Sequence, residues 1–522
     1  MSKTTRYVTT PIYYVNDRPH IGHVYTTTLC DVYSRFMRQI GHDVFFLTGT
    51  DEHGAKVEQS AVKQGISPQE LADQNAAEFQ SIMGTFGLTN DEFIRTTDPK
   101  HESQVQALVS KLLKSGDVYL GEFEGWYDQG QEEYYTETRA RELDYKSPIS
   151  GNQLVRATEK NYYFKLSAYQ ERLQQFFDEN SSFVRPPGRF NEVLGRLREG
   201  LQDVPISRTN FSWGIPMPDD PEHVIYVWID ALFNYITALG LGDIAGDEYE
   251  IRSKYWPATF HIMAKEILWF HAVVWPAVLM ALELPLPDCV YAHSFWISEG
   301  RKMSKSFGNF IDLETIDFYV DKYGMDAWRY FLLTQGPLGA TDSDFSSERF
   351  HDIYNAHLVN TVGNCTSRVT AMIEKYFDGI VPPEIRDESR IEVGEVDWPQ
   401  KCSECVSNSI EAMEDFLIDK SIEFSMGLIR DVDLFINETT PFKLAKDDTR
   451  RDELGAILYQ CLEVLRISSH LLSSCLPDKM KEFHEAVGVE LDSKTLQETT
   501  TWGRTKSGTK IKKVALFPRV DK

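Results

Sequence analysis

The sequence predicts an α/β fold in which a mixed α/β insertion splits a parallel sheet into two halves, followed by an all-α helical bundle. β-rich runs alternate with helical stretches over the first hundred residues, which is typical of a parallel sheet. From residue 118 to 213 the chain becomes dense in Tyr, Phe, Gly and Glu, and the alternation then resumes. Helical periodicity dominates from about Ser346 onward.

The first half of the sheet domain has the clearest pattern. It predicts a strand from Arg6 to Tyr13, a helix from about His20 to Gln39 and a strand from Val44 to Thr48, with more helix after it. In the insertion, segments such as 119–127 (YLGEFEGWY) favour short strands and turns over long helices.

The second half of the sheet domain repeats the alternation. Residues 224–229 and 259–263 predict strands, each followed by a helix, the second helix reaching about Leu282. In the helical region the periodicity predicts helices over 416–435 and 452–476, interrupted by an acidic, Pro-containing loop over 378–400.

Composition narrows the class of protein. With 522 residues and 42% hydrophobic content, the chain is long enough for several packed domains. Its seven cysteines are too sparse for a disulfide framework, which favours a reducing compartment. The first fourteen residues do not resemble a signal peptide, and Pro276 and Glu283 interrupt the longest apolar stretch. We therefore expect a cytoplasmic protein that does not enter a membrane.

The formal net charge of −25 opposes general binding to nucleic acid. An RNA partner would have to meet a local basic surface. The last 22 residues contain seven basic residues against one acidic residue. Two interpretations of this segment stay open, a solvated tail and an RNA contact.

A first phosphate-binding motif, Pro19-His-Ile-Gly-His23, lies between a predicted strand and a predicted helix. The backbone N–H groups and the dipole of a helix N-terminus attract an anion. Gly22 permits close approach of a ligand, and His20 and His23 can donate to phosphate oxygens. The alternative, an ordinary helix start with two surface histidines, stays open on this motif alone.

A second motif, Arg301-Lys-Met-Ser-Lys-Ser-Phe-Gly-Asn309, follows a predicted strand over 291–297. Lys302 and Lys305, with Ser304 between them, can close over a triphosphate, and lysines that tighten on the charge developing in the transition state lower the barrier. Taken alone, the loop also fits a solvated turn.

Together, the two motifs resemble the paired signatures of class I aminoacyl-tRNA synthetases. Further segments, including 10–17, 49–54, 227–235, 265–275 and the ending 514–519, resemble the methionyl-tRNA synthetase family over nearly the whole chain. The resemblance implies a Rossmann-like catalytic domain that uses ATP with Mg²⁺, activates L-methionine and charges both initiator and elongator tRNA(Met). It also implies the following division: catalytic domain 1–117 and 223–290, connective insertion 118–222, a loop and stem-contact region 291–350, and an anticodon-binding domain 351–522.

The same resemblance implies the residues of the methionine site: Ile12, Tyr14, Asp51, Trp228, Ala231, Tyr235, Ile267, His271 and Trp275. A carboxylate such as Asp51 suits a desolvated ammonium group, although an N-cap role for Asp51 is the alternative. The spacing of Ile267, His271 and Trp275 predicts one helix face. Leu232 departs from the proline that is common in the family.

Metal and tRNA sites depart from the family in part. Segment 125–134 lacks the cysteines that bind zinc in many members, and Cys402 and Cys405 are isolated from a second pair, so we expect no structural zinc and no other metal site built by the protein. For the anticodon, the resemblance implies Asn364, Arg368 and Phe442, the last where the family commonly has Trp.

The chain ends soon after the helical region, without the additional domain that some family members use to dimerise, so we expect a monomer. Three other functions stay open: another class I synthetase, an inactive tRNA-binding scaffold, and a small-molecule nucleotidyltransferase of related fold.

Overall fold

The structure is a computed structural model that describes residues 4–15, 18–128, 133–135, 137–148, 151–303, 308–384, 396–489 and 495–521. Its first part contains β1 (Thr5–Thr9), β2 (Tyr13–Tyr14), α1 (Ile21–Gln39), β3 (Asp43–Asp51), α2 (Ala55–Gln64), α3 (Pro68–Thr85), β4 (Glu92–Arg95) and α4 (Pro99–Ser115). The predicted strand–helix–strand order is confirmed, but the strand expected from Arg6 to Tyr13 ends at Thr9, and Tyr13 belongs to β2.

The insertion contains β5 (Val118–Asp128), β6 (Glu133–Tyr135), α5 (Glu137–Glu142), β7 (Val155–Phe164), α6 (Gln170–Glu179), β8 (Val184–Arg185), α7 (Pro187–Leu197), β9 (Val204–Pro205), β10 (Ser207–Arg208), β11 (Pro216–Met217) and β12 (Asp220–Ile225). A long antiparallel pairing of β5 with β7 forms its centre. The helices α6 and α7 are longer than the sequence led us to expect.

The second half contains α8 (Val227–Thr237), α9 (Asp247–Arg252), β13 (Phe260–Ala264), α10 (Trp275–Ala281), β14 (Val290–His293), β15 (Trp296–Ser298), β16 (Arg301–Lys302), α11 (Leu313–Tyr323), α12 (Met325–Gln335) and β17 (Ser343–Phe345). The strand expected over 224–229 is wrong. β12 ends at Ile225 in a small antiparallel sheet with β10 and β11, and α8 begins two residues later. A short apolar run fits a buried helix as well as a strand.

All the pairings of the main sheet are parallel, in the order β2-β3-β1-β13-β14-β8, with β4 on β3. On one side, β1 pairs with β3, and the chain passes between these strands through α1. On the other side, β1 pairs with β13, which comes from the second half of the chain. The order therefore reverses between β1 and β13, as it does in Rossmann-like sheets. This arrangement confirms the predicted fold class.

The strand expected over 291–297 divides in two. β14 ends at His293, and β15 belongs to a separate sheet with β16 and β17. The change of direction is fixed by the backbone N–H of Ser294, which donates to the carbonyl of Pro337, and by that of Phe295, which donates to Asp342.

The C-terminal region contains α13 (Ser347–Ile353), α14 (Asn364–Tyr376), α15 (Trp398–Glu414), α16 (Ile418–Thr439), α17 (Pro441–Leu444), α18 (Arg451–Leu472), α19 (Pro477–Val487) and α20 (Leu496–Thr499). A π-helix over Tyr354–Gly363 joins α13 to α14. Most of α18 is buried, and it contacts α14, α15, α16, α17 and α19, so it is the central helix. The predicted helices correspond to α16 and α18; of the predicted loop, residues 385–395 lie outside the described residues.

The basic C-terminal segment is packed against the helical domain as far as Val520. Ile511, Val514 and Phe517 are buried, whereas Lys512 and Lys513 are exposed. Within the described ranges, no helix is both long and apolar enough to cross a membrane.

Candidate active site

A cavity of about 1170 Å³ lies at the carboxyl edge of the main sheet. Its walls include Ile12 after β1, Asp51 at the end of β3, Ile267 after β13 and His293 at the end of β14. Because the strand order reverses between β1 and β13, the loops leave the sheet in opposite directions there and open a crevice. This is the position at which open parallel sheets bind ligands.

Two histidines form the cap of α1 beside this cavity. His20 is the N-cap residue, and its Nδ1 accepts from the backbone N–H of Gly22 at 3.0 Å. The backbone N–H of His20 donates to Nδ1 of His23 at 3.2 Å. The pair thus forms a reciprocal capping box of the kind that Ser and Glu commonly form. Since each Nδ1 accepts, each neutral ring carries its proton on Nε2.

His23 is a neutral donor. Burial lowers its pKa well below the usual range, and the nearby His20 lowers it further. The ring lies 4.7 Å from the ring of Tyr13 and 5.1 Å from that of Phe79, measured between centroids. At Gly22, an added Cβ would lie 2.9 Å from Cε1 of His20. A side chain at position 22 would therefore crowd the capping ring of His20.

The opposite wall is built from α8 and the segment after β13. The indole of Trp228 stacks on the ring of Phe270, with centroids 4.6 Å apart and planes 7° apart. Ala231 and Leu232 continue this wall. The stacked rings give the cavity a flat aromatic surface.

Tyr235 and His271 close the deep end of the cavity through one hydrogen bond of 2.7 Å between the Tyr235 hydroxyl and Nε2 of His271. Nδ1 of His271 lies 3.0 Å from the carbonyl of Ile267, which can only accept, so this nitrogen carries the proton. The hydroxyl of Tyr235 is therefore the donor. Burial lowers the pKa of His271 to about 4, which keeps the ring neutral.

The expectation that Ile267, His271 and Trp275 share one helix face is wrong for Trp275. Ile267 ends a 3₁₀ turn, and a π-helix runs from Phe270 to Val274 before α10 begins. These changes of helical pitch rotate later residues away from α-helical positions. Ile267 and His271 line the cavity, whereas Trp275 is fully buried behind them, with its indole N–H 3.4 Å from Nε2 of His261.

Asp51 and Tyr14 lie side by side at the ends of the paired strands β3 and β2, and both line the cavity. Asp51 is 8% exposed. The alternative role for Asp51 as a helix cap is wrong, because the N-cap of α2 is Gly54. The next residue, Glu52, is fully buried and accepts two hydrogen bonds from Arg95 at 2.7 and 2.8 Å, which fixes the strand end.

The lysine- and serine-rich loop is described in part. Lys302 is exposed on β16, which pairs with β15 beside the cavity residue Trp296. Gly300 and Gly308 both have positive φ, +72° and +67°. Ser304 and Lys305 lie outside the described residues.

The residues expected to read the anticodon lie on α14 and after α16. Asn364 is exposed at the start of α14. Arg368, one turn later, pairs with Asp433 at 2.9 Å and donates to Asn437 at 3.2 Å, both on α16. Phe442 follows the end of α16 and is 45% exposed.

The sequence analysis did not identify two residues that line the cavity, His293 and Phe270. His293 is the last residue of β14, and Nε2 of its ring lies 2.8 Å from the Thr26 hydroxyl on α1. Its place at the carboxyl end of a parallel strand was the available signal. Phe270 carried no comparable signal, since its stacking on Trp228 depends on the π-helix.

Within the described part of the chain, no group of three or more His, Cys, Asp and Glu is arranged to hold a metal ion. Cys402 and Cys405 are buried in α15, and burial raises the pKa of these thiols to about 12 and about 11. Both residues belong to the core of the helical domain.

A switch-point cavity beside a capped helix defines a nucleotide-binding α/β protein. The model of the class I tRNA synthetases (M) matches residues 6–143 and 141–370. The methionine–tRNA ligase of Caldanaerobacter subterraneus subsp. tengcongensis is 44% identical, covering 99% of this chain and 79% of its own, and that of Bacillus subtilis is 41% identical, covering 99% and 78%.

Among solved structures, Mycobacterium tuberculosis methionyl-tRNA synthetase in complex with methionyl-adenylate aligns with a TM-score of 0.89 and 32% identity, covering 99% of this chain and 100% of its own. The apo form of the same enzyme gives a TM-score of 0.84 at 30% identity, with 100% and 99% covered. The chain belongs to the class I tRNA synthetases, in the methionyl-tRNA synthetase family. The resemblance inferred from the sequence is confirmed.

Proposed function

We propose that this chain is a methionine–tRNA ligase. It activates L-methionine with ATP to methionyl-adenylate and pyrophosphate, and then transfers the methionyl group to the 3′-terminal adenosine of tRNA(Met). One observation carries the proposal: a neutral, aromatic side-chain pocket and a helix N-terminus capped by two imidazoles face the same cavity. The two sites bring an amino acid and a triphosphate together.

On the ATP side, the protein positions the phosphates and stabilises charge. The Nε2–H groups of His20 and His23 donate to phosphate oxygens, the dipole of α1 favours the negative charge there, and Gly22, which has no side chain, lets the phosphates approach the helix end. Lys302, Ser304 and Lys305 contribute donors to the triphosphate. The attacking nucleophile is the methionine carboxylate, so no covalent enzyme intermediate is needed.

Mg²⁺ accompanies ATP in this proposal. The described residues contain no acidic cage at the cavity, so phosphate oxygens and water supply most ligands, which is how Mg²⁺ commonly binds nucleotides. When bound, the ion would supply positive charge beside the pyrophosphate, in addition to the donors of His20, His23 and Lys302.

On the methionine side, Asp51 pairs with the ammonium group while Ile12, Tyr14, Trp228, Ala231, Tyr235, Ile267 and His271 enclose the side chain. Both nitrogens of His271 are used within the protein, at 2.7 and 3.0 Å. The thioether therefore meets ring faces and the Tyr235 oxygen in a largely apolar contact. Trp275 acts behind this wall by supporting Tyr235 and His261.

The helical domain reads the anticodon of both initiator and elongator tRNA(Met). Asn364 contacts a base edge, Phe442 stacks on a base, and Arg368, held by Asp433, presents its remaining donors. We further propose a cytoplasmic monomer. The seven cysteines of the chain are all buried and free, which suits a reducing compartment.

The test is ATP–pyrophosphate exchange by the purified protein with each of the twenty amino acids, with magnesium and without added zinc. Exchange with methionine alone supports the proposal and the zinc-free form. Exchange with a different amino acid reassigns the side-chain pocket. No exchange, with tRNA binding retained, favours an inactive scaffold, and adenylylation of another small molecule favours a nucleotidyltransferase.

A further inference from the structure

A buried carboxylate joins the two walls of the methionine site. Asp230, on α8, is fully buried, and its Oδ2 lies 2.7 Å from Nδ1 of His53. Its Oδ1 lies 2.7 Å from Nε2 of His101, on α4. Nδ1 of His101 lies 2.7 Å from the hydroxyl of Thr237, which is also on α8. Three elements, the loop after β3, α4 and α8, thus meet at one side chain.

His53 and Asp230 form a charged pair. Burial alone would lower the pKa of His53, but the charge of Asp230 and the hydrogen bond to it raise that pKa to about 10, with help from Glu102 on α4 and Asp51 on β3. Nε2 of His53 lies 3.6 Å from Glu102. The carboxylate of Asp230 keeps its charge for the same reason, since His53 and His101 lower its pKa against the effect of burial.

The neighbours of this network in the chain are substrate residues. His53 lies two residues after Asp51, the proposed partner of the ammonium group. Asp230 lies between Trp228 and Ala231, which line the side-chain wall. The loop is also fixed from outside, since the Gly54 N–H donates to the carbonyl of Trp213 at 2.9 Å. The spacing between the two parts of the methionine site therefore depends on Asp230.

We propose that Asp230 is a positioning residue that, through His53 and His101, holds the ammonium-binding end of β3 at a fixed distance from the side-chain wall on α8. The inference rests on the proposed function, because the ligand that spans the two parts is methionine. Stability alone does not explain the network. Buried ion pairs are often replaceable by apolar residues without loss of stability, whereas their fixed geometry can specify one arrangement.

The inference predicts a selective effect on methionine. Asp230→Asn keeps the shape of the side chain but removes the charge and turns one oxygen into a donor that faces a histidine. We expect the KM for methionine in pyrophosphate exchange to rise on the order of tenfold to a hundredfold, the size typical of a small misplacement of binding groups. We expect the KM for ATP to change less than about threefold, because α1 and its capping box do not contact the network.

Two histidine variants separate positioning from folding. His53→Asn keeps an N–H donor near the position of Nδ1 and should restore most of the methionine affinity that His53→Leu loses. Glu463→Gln is the matched control, because Glu463 forms a buried pair with Arg466 in the helical domain, at 2.6 Å, far from the cavity in the fold. It should lower stability without changing the KM for methionine.

The readouts are exchange kinetics, methionine binding followed by tryptophan fluorescence, and urea unfolding of each variant. A selective rise in the KM for methionine with rescue by His53→Asn supports the inference. Equal changes in the KM for both substrates, or a methionine KM that follows stability across all four variants, overturn it. If the unaltered protein does not exchange with methionine, the proposed function itself fails, which is a different result.

Discussion

At the residue scale, the two histidines of α1 combine a structural and a chemical task in each ring. Nδ1 accepts a backbone hydrogen bond and Nε2 carries the proton. Two substitutions of His23 separate the tasks. Asn places an oxygen near Nδ1 and has no donor at Nε2, whereas Gln places an amide near Nε2 and gives up the cap.

We expect His23→Asn to lower the rate of methionyl-adenylate formation about a hundredfold, as loss of one charge-stabilising donor commonly does. Both variants lose the packing of the ring against Tyr13 and Phe79. His23→Gln should keep more of the rate, and its free energy of unfolding should be lower than that of His23→Asn by about 1 kcal/mol, the usual contribution of a cap. Single-turnover kinetics and urea unfolding measure both quantities. Equal losses of rate would contradict the assignment of the donor to Nε2.

The pair of His53 and Asp230 predicts a pH dependence of stability. The pKa of His53 is raised to about 10 in the folded protein, from about 6.5 in an unfolded chain. The stability that protonated His53 contributes to the folded protein is therefore fully present below pH 6.5 and is lost as the pH rises towards 10. Urea unfolding of the unaltered protein and of His53→Asn should show a stability difference that shrinks steadily from pH 6.5 to pH 9.5. A difference that grows with pH would contradict the charged state of His53.

At the scale of secondary structure, α12 links the helix of the capping box to the helical domain. The guanidinium of Arg329, on α12, donates to Asp31 on α1 at 2.6 Å and to the carbonyl of Ser474, just after α18, at 3.0 Å. Arg329 and Asp31 are both buried. One side chain therefore connects the helix that bears the histidine capping box to the end of the central helix of the helical domain.

Arg329→Met leaves the carboxylate of Asp31 buried, with Arg35 as its remaining charged partner at 2.8 Å. We expect a loss of about 3 kcal/mol or more in the free energy of unfolding, the usual effect of removing one partner of a buried pair. The double variant Asp31→Leu, Arg329→Met should recover part of that loss. Differential scanning calorimetry provides the measurement, and a double variant less stable than the sum of the single changes would contradict a direct pairing.

The elements that were predictable from the sequence are those defined by local periodicity. α1 and β3 are long and regular, so their patterns identified them. The strands predicted over 224–229 and 291–297 differ from the structure, because short apolar runs carry no information about where a chain turns. The π-helix over 270–274 depends on packing, so the rotation of Trp275 out of the cavity wall could not be anticipated.

The candidate site divides in the same way. The ends of β1 and β3 and the start of α1 follow from the pattern of the chain, and His20, His23 and Asp51 line the cavity there. Asp51 itself was named through the family resemblance. The residues on α8 were named only through the family resemblance. The contact between His53 and Asp230 joins positions 177 residues apart, and a single sequence contains no signal for such a pairing.

At the scale of the whole molecule, the insertion is part of the catalytic sheet. β8 pairs with β14 in parallel register, Val184 opposite Val290 and Arg185 opposite Tyr291. The next helix, α7, carries Arg196, whose guanidinium lies 4.0 Å from the centre of the Trp269 ring at the cavity. The segment from β8 through α7 thus contributes both an edge strand and a cavity wall.

This arrangement limits how the insertion can be exchanged between proteins. A variant in which a short linker replaces all of residues 118–222 loses the edge strand β8 and exposes β14, and an uncovered strand edge promotes aggregation. A variant in which only residues 119–162 are replaced keeps the segment from β8 through α7. We expect the variant that lacks residues 118–222 to precipitate and the variant that lacks residues 119–162 to stay soluble, as size-exclusion chromatography would show. The natural splice points for recombination in this chain therefore lie inside the insertion, at the base of the β5–β7 pair, and not at its ends.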